Sequence, residues 1–94
     1  MITYLLNDEY NDEKFKEICE YLESLYPDYT KQELLTDVDY SLIQVYTKGE
    51  KRIIITNDAD YDEITARADI DLRKFKYTQA YLSDGEWLIA KRLN

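Results

Sequence analysis

Residues 40–56 have the sequence YSLIQVYTKGEKRIIIT, in which two runs of β-branched and aromatic residues flank a single glycine. Such residues favour strands, and a short polar break containing glycine between two such runs is typical of a β-hairpin. We therefore predict strands over 40–47 and 51–56, joined through 48–50. The three isoleucines at 53–55 are apolar on both sides of the second strand, which favours a central position in the sheet.

A second hairpin signal is the pair Asp84 and Gly85, which separates two further apolar runs. An Asp-Gly pair is a strong signal for a two-residue hairpin turn, and it predicts strands over 73–82 and 86–93. Cross-strand partners share one face of a sheet. The register of this turn therefore predicts a core-facing set of Ala80, Leu82, Trp87, Ile89 and Leu93. The opposite, more open face would hold Phe75, Tyr77, Tyr81, Leu88 and Arg92.

An amphipathic helix is predicted over 12–26. Apolar residues recur there with the spacing of one helical face: Phe15, Ile18, Cys19, Leu22, Leu25 and Tyr26. Asn11 or Asp12 can cap the first turn of this helix. Pro27 ends it, because proline disfavours the helical conformation at the residue before it.

Three weaker signals complete the pattern. Residues 1–6 favour a short first strand, Thr30 and Glu33 have the spacing of a capping box before a short second helix, and 60–68 is a candidate helix. Together the patterns predict a single α+β domain spanning 1–94. We expect a small antiparallel sheet of two hairpins, extended by the N-terminal strand where that signal holds, with one main amphipathic helix packed on one face.

The composition excludes several kinds of active site. The 94 residues include no histidine, one cysteine and two glycines. A His/Cys zinc site, a histidine-dependent triad, an internal disulfide and a glycine-rich phosphate loop are therefore excluded, and we predict a non-enzymatic protein without metal or cofactor. No apolar run reaches the 18 residues of a membrane span, and the early apolar run lacks the basic flank of a signal peptide, so a cytoplasmic protein is expected.

The chain is strongly acidic. Twenty acidic side chains stand against 12 basic ones, for a net charge of −8. On the predicted helix, Glu13, Glu17 and Glu20 form one stripe, although like charges at this spacing cost about 0.2–0.5 kcal/mol each. A binding role for this stripe and an ordinary solvated helix face are both compatible with the pattern.

A second acidic cluster consists of Asp58, Asp60, Tyr61, Asp62 and Glu63. Acids on alternate residues resemble the start of a calcium loop, but glutamate occupies the position that needs glycine, and the bidentate glutamate is replaced by aspartate. A solvated acidic loop, or the start of a helix that acids stabilise through its dipole, therefore explains the cluster better than a calcium site. Five tyrosines lie beside acids, a combination suited to binding or to packing at the core margin: Tyr10, Tyr21, Tyr29, Tyr40 and Tyr61.

The size, acidity and aromatic content of the whole chain resemble those of small acidic inhibitors from phages and mobile elements, the DNA mimics and anti-CRISPR proteins. This resemblance implies a non-catalytic protein in the host cytoplasm that occupies the basic nucleic-acid-binding surface of a target protein. Such surfaces replace the counterions around phosphates, so a folded array of carboxylates can compete for them. The predicted contacts are the helix stripe and the second acidic cluster.

Two other functions fit the same sequence. An acidic regulatory module, such as an antitoxin, an immunity protein or an adaptor, would bind a basic partner unrelated to DNA, and competition by nucleic acid distinguishes it from a mimic. Direct nucleic-acid binding would use stacking side chains and two arginines of the C-terminal strands: Phe75, Tyr77, Tyr81, Arg73 and Arg92. The net charge of −8 opposes this last function by long-range repulsion.

Overall fold

Alternation of apolar and polar residues builds one antiparallel sheet, and the helical spacing builds one helix that packs on it. The computed structural model describes residues 1–90. In chain order the elements are β1 (Ile2–Asn7), α1 (Asp12–Leu25), β2 (Thr30–Lys31), β3 (Leu35–Thr36), β4 (Leu42–Lys48), β5 (Lys51–Asp58), β6 (Glu63–Ala68), β7 (Ala80–Ser83) and β8 (Glu86–Ile89). The predicted α+β class is confirmed. Among these residues, no helix is long and apolar enough to cross a membrane.

The strands are ordered β2-β4-β5-β6-β1-β7-β8, and β3 also pairs with β4. The predicted hairpin at 48–50 is confirmed, and Gly49 adopts a φ of 60°, a conformation that glycine reaches without strain. The central position of β5 is confirmed as well. The sheet contains more hairpins than predicted because β5 also turns back into β6, and β1 is paired on both edges, with β6 and β7.

Helix α1 contributes four buried side chains to the core: Phe15, Ile18, Cys19 and Leu22. The strand residues that join them in the core alternate along the strands, as a period of two requires: Tyr4, Leu6, Tyr46, Ile53, Ile55, Ile64, Ala66 and Ala68. Asn11 caps the helix, since its side chain accepts a hydrogen bond from the Lys14 N–H at 2.9 Å. The C-cap is Tyr26, immediately before Pro27.

The candidate helix over 60–68 is wrong, because this segment contains strand β6. Its buried residues Ile64, Ala66 and Ala68 recur every second residue, which is the period of a strand. Pairing with β5 on one edge and β1 on the other satisfies the backbone along its length. An isolated helix this short would be marginal, so the two-sided pairing decides the conformation.

The short second helix after Thr30 is also wrong. Thr30 pairs with Thr47, and Leu35 pairs with Ile43, so this segment forms two short strands along the edge of β4. That edge presents unpaired backbone N–H and C=O groups, and the segment satisfies them. The capping-box spacing was therefore overridden by a tertiary contact.

The predicted strand over 73–82 is confirmed only for its last part, in β7. Before β7 the chain forms turns, in which the Phe75 N–H donates to the Leu72 carbonyl at 3.1 Å and the Thr78 N–H donates to the Phe75 carbonyl at 3.0 Å. These turns bury Leu72 and Phe75, and the Phe75 ring contacts the ring of Tyr21 on α1. The segment thus closes the core beside the helix.

The register of the turn at 84–85 is confirmed, but the predicted core face of this hairpin is wrong. Trp87 pairs with Leu82 as expected and is 48% exposed, while Ile89 is 80% exposed. The reason is the register between β7 and β1, in which Ala80 pairs with Leu5. The Leu5 side chain points away from the helix, because its neighbours Tyr4 and Leu6 in β1 point toward the helix. Ala80 and its neighbours on the same face of the hairpin therefore point away from the helix as well. The residues expected on the more open face include the three that reach the core: Phe75, Tyr77 and Tyr81. The assignments of Arg92 and Leu93 lie outside the described residues.

The sheet face turned away from α1 carries no covering element within residues 1–90, and we call it the open face. Its members alternate with the core residues: Thr3, Leu5, Ile43, Val45, Thr47, Arg52, Ile54, Thr56, Asp58, Glu63, Thr65, Arg67, Ala80, Leu82, Trp87 and Ile89. Its half-buried aliphatic side chains lie outside the hydrophobic core cluster. The fold therefore has two layers, the sheet and the helix with its flanking turns.

Candidate functional site: an acidic interaction surface

Three acidic segments meet at one end of the sheet. They are the connection from β1 into the first turn of α1, the loop before β4, and the turn between β5 and β6. Antiparallel pairing brings them together, because β1 ends opposite the start of β6 and β4 begins opposite the end of β5. Segments that are far apart in sequence thus share one surface.

Asn57 joins the sheet to the helix at this end. Its side chain is fully buried, with the Oδ1 atom accepting from the Asn11 N–H at 3.0 Å and the Nδ2 atom donating to the Asp12 carboxylate at 2.9 Å. Both bonds lie at the N-terminus of α1, where backbone N–H groups have no partner within the helix. One buried amide therefore fixes the first helical turn relative to β5.

Further hydrogen bonds tie the three segments to one another. The Tyr10 N–H donates to the Asp62 carboxylate at 2.8 Å, and the Tyr10 hydroxyl donates to the Tyr40 carbonyl at 3.3 Å. The Ala59 N–H donates to the Ser41 hydroxyl at 2.8 Å. The neighbouring Asp12 carboxylate, followed by burial, raises the pKa of the Tyr10 hydroxyl.

Ten carboxylates belong to this end of the molecule, which we call the acidic pole: Asp8, Glu9, Asp12, Glu13, Asp37, Asp39, Asp58, Asp60, Asp62 and Glu63. Their charge exceeds the net charge of −8, so the rest of the chain carries two more basic than acidic side chains. The ion pairs within residues 1–90 are Lys14–Glu17, Lys31–Glu23, Lys48–Asp28 and Arg73–Asp71. None of these pairs neutralises the acidic pole.

Several of these carboxylates also hold the local backbone. Asp58 accepts from the backbone N–H groups of Asp60 and Tyr61 at 2.9 and 3.0 Å, which closes the turn into β6. Burial, and then the charge of Asp58, raise the pKa of the Glu63 carboxyl. Within the described part of the chain, no three acidic or cysteine side chains are grouped to hold a metal ion.

The acidic pole also exposes large side chains. Val38 is 95% exposed, Tyr40 is 77% exposed and Tyr61 is 76% exposed. Tyrosine is a typical anchor in protein interfaces, because its ring offers contact area and its hydroxyl can form hydrogen bonds. The surface thus combines dense negative charge with apolar contact area.

The structure divides the sequence-predicted contacts between two places. Glu13 belongs to the acidic pole together with the five residues of the second cluster, Asp58, Asp60, Tyr61, Asp62 and Glu63. Glu17 lies further along the helix, where it pairs with Lys14 and accepts from the Tyr77 hydroxyl at 2.6 Å. Glu20 lines a pocket with Lys16 and Lys31. The helix stripe is therefore not one uniform acidic surface.

Sequence reasoning left five of the pole's acids out of the predicted contacts: Asp8, Glu9, Asp12, Asp37 and Asp39. It also left out Val38. A local signal for a binding surface exists at two of these places, because Tyr10 follows Glu9 and Tyr40 follows Asp39. A tyrosine next to an acid is suited to binding. Their gathering depends on strand pairing between distant segments, which local patterns do not contain.

The one cysteine offers no nucleophile at this surface. Cys19 is buried on the helix, and desolvation raises the pKa of its thiol to about 11. A thiol with such a pKa is almost wholly protonated at neutral pH and is therefore unreactive. The acidic pole offers negative charge and exposed apolar contact area.

No protein-family model matches the chain, and the searches of curated proteins and of solved structures find no match either.

Proposed function

We propose that this protein is a non-catalytic inhibitor that binds the basic nucleic-acid-binding surface of a target protein through its acidic pole. The observation that carries the proposal is the gathering of ten carboxylates, unpaired by the ion pairs of residues 1–90, around three exposed apolar side chains. The function is the one expected from the sequence, with Glu13 and the second acidic cluster kept as contacts and Glu17 and Glu20 left out.

Charge supplies the first part of the argument. A surface that binds nucleic acid carries lysine and arginine side chains arranged to displace counterions from closely spaced phosphates. Carboxylates held on a folded scaffold present similar charge density to that surface, and the attraction accelerates encounter at low ionic strength. Binding of this kind weakens as salt is added, because the Debye length falls from about 30 Å at 0.01 M to about 3 Å at 1 M.

Apolar contacts supply the second part. Charge pairs at the rim of an interface contribute mainly to the rate of association, whereas buried anchors hold the complex together. Tyr40 and Tyr61, which are exposed among the carboxylates together with Val38, are the anchors that we propose.

The experiment compares two triple variants that remove the same charge. The pole variant is Glu9→Gln, Glu13→Gln and Asp60→Asn, whose side chains form no hydrogen bond with any residue from 1 to 90. The control variant is Glu50→Gln, Glu86→Gln and Asp84→Asn, at the hairpin turns of the opposite end of the sheet. Each variant removes three negative charges and so changes the net charge from −8 to −5.

Each tagged protein is incubated with nuclease-treated bacterial lysate, and bound proteins are eluted with duplex DNA. We expect the wild type and the control to capture the same DNA-displaced protein. The pole variant should bind it about tenfold more weakly, since three exposed ion pairs at about 0.5 kcal/mol each sum to about 1.5 kcal/mol.

Two results would contradict the proposal. Equal weakening of both triple variants would show that net charge alone drives binding. Capture of a partner that duplex DNA does not displace would remove the competition with nucleic acid and favour the acidic regulatory module instead.

A further inference from the structure

The open face is a second surface with a distinct pattern of charge. Its two acids, Asp58 and Glu63, are direct cross-strand partners at the end nearest the acidic pole. Its two arginines, Arg52 and Arg67, lie toward the other end of the same two strands. The residues between them are threonines and aliphatic side chains, so the face has one acidic end, one basic end and an uncharged middle.

This pattern is self-complementary. In a two-fold dimer, the symmetry axis can lie between the two open faces and perpendicular to the strands. The strands of the second copy then run opposite to those of the first. The arginine end of β5 and β6 in one copy then lies over the acidic end of the same strands in the second copy. Any contact made once across such an axis is made twice, as in every isologous interface.

We propose that two copies of this chain pack their open faces together, with Arg52 and Arg67 of each copy paired with Asp58 and Glu63 of the other. The dimer is a β-sandwich whose second sheet is supplied by the second copy, in the place where the monomer has solvent. Two acidic poles then lie at opposite ends of the dimer, because the strand directions of the two copies are reversed.

The distances along the strands suit this arrangement. Glu63 and Arg67 are four residues apart on β6, or about 13 Å at about 3.3 Å per residue. Packed sheets lie about 10 Å apart, a gap that arginine and glutamate side chains can bridge from opposite faces. In a single copy, no ion pair within residues 1–90 involves either arginine.

The face is also large enough for a specific dimer. The six neighbouring strands β4, β5, β6, β1, β7 and β8 lie about 4.8 Å apart and have about five residues each, which gives a footprint of roughly 29 by 17 Å, or on the order of 500 Å². Two such footprints reach the roughly 1,000 Å² expected of a specific interface, and the side-chain relief adds to that area. Packing would cover Leu5, Ile43, Val45 and Ile54 together with the exposed Trp87.

Repulsion between two acids at one end of the open face gives the monomer a reason to bind positive charge there. Like charges directly opposite each other on a sheet are destabilising, and Asp58 faces Glu63 in this way. The charge of Asp58 also contributes to the raised pKa of the Glu63 carboxyl. Arginines from a second copy would relieve this repulsion, whereas water only screens it.

The test uses two single charge reversals and their mixture, measured by sedimentation equilibrium on the full chain at about 100 µM. The wild type should have twice the 11.3 kDa mass of one chain. Arg67→Glu and Glu63→Arg should each be monomeric, with the dimer dissociation constant raised at least about a hundredfold. An equimolar mixture of the two variants should form a heterodimer, because each supplies the charges that the other lacks.

A matched control is Lys51→Glu, which makes the same change of charge on β5 but on the side facing the helix, and it should remain a dimer. If either reversal fails to fold by circular dichroism, Thr65→Lys at the uncharged middle of the face replaces it and should also give a monomer. A monomeric wild type overturns the proposal. So does a wild-type dimer that all of these open-face variants leave intact, or a mixture that stays monomeric.

Asp58 and Glu63 belong to both the acidic pole and the open face, so the two proposals are separated by variants that change only one of the two surfaces, such as Arg67→Glu on the open face. The triple variant that tests the acidic pole changes Glu9, Glu13 and Asp60, which belong to the helix region and the turn and not to the open face. Loss of target binding without loss of the dimer, or the reverse, can therefore be assigned to one surface.

Discussion

Replacement of Asn57 by alanine tests how the acidic pole is held together. The Asn57 side chain is fully buried, and it bonds both to the Asn11 N–H and to the Asp12 carboxylate. A neutral hydrogen bond contributes about 0.5–1.5 kcal/mol to the free energy of unfolding, and a bond to a charged group contributes about 1.5–3 kcal/mol. We therefore expect Asn57→Ala to lower the free energy of unfolding by about 2–4 kcal/mol.

This loss is large for a chain of 94 residues, whose total free energy of unfolding is expected to be about 5–15 kcal/mol. At about 4–8 °C per kcal/mol, Tm should fall by at least about 8 °C. The measurements are thermal melting and urea unfolding followed by far-ultraviolet circular dichroism. The urea dependence should keep its slope, because the change affects stability and not the surface exposed on unfolding.

Two companion variants sharpen this prediction. Asn7→Ala is the matched control, because the Asn7 amide is more exposed and bonds only to the Glu9 carbonyl, which water can replace. Its cost should stay below about 1 kcal/mol. Asn57→Asp keeps an acceptor for the Asn11 N–H but places a carboxylate against Asp12, so it should be destabilised at pH 7 and partly recover in acid. A change of less than 1 kcal/mol for Asn57→Ala would refute the reasoning.

Two further predictions test the core and the helix surface. Ile55→Ala, in the core, should lower the free energy of unfolding measured in urea by about 2–5 kcal/mol. Ile54→Ala, on the open face, should lower it by less than half as much in dilute solution. Equal losses for the two variants would contradict the assignment of faces. The hydrogen bond between Tyr77 and Glu17 raises the pKa of Tyr77 to about 12 and lowers the pKa of Glu17. The stabilising effect of this bond is therefore lost as pH rises from 10 to 12, where the Tyr77 hydroxyl ionises. It is also lost as pH falls below the ordinary glutamate value of 4.5, where the Glu17 carboxylate becomes protonated. The Tm difference between wild type and Tyr77→Phe should therefore be largest between pH 5 and 9, and a difference that is constant with pH would contradict this.

The helix and the hairpins were predictable because their signals are local. The spacing of Phe15, Ile18 and Leu22 identifies the helix face, and the glycines at 49 and 85 identify the two turns. Residues 30–36 and 60–68 were mispredicted, since their helix signals were weaker than the backbone pairing offered by neighbouring strands.

The candidate site was predictable only in its parts. Glu13 and the cluster from Asp58 to Glu63 were identified by charge alone, and the structure brings them to one surface. Glu17 was grouped with them by helical spacing, but the turn before β7 places the Tyr77 hydroxyl against its carboxylate. No local pattern predicts that contact, because the two residues are 60 positions apart.

The sequence by itself determined the helical spacing of the apolar residues in α1, the positions of the two glycine-containing turns, the excess of acidic residues and the exclusion of sites that need histidine. Each of these is a property of neighbouring residues or of composition. Only the tertiary structure decided which face of each strand is buried. β1 pairs with both β6 and β7, and this pairing turns Trp87 and Ile89 outward and carries three acidic segments to one end. Side chains in a strand alternate, so the register between distant strands, and not the pattern within one strand, assigns them to the core or to solvent.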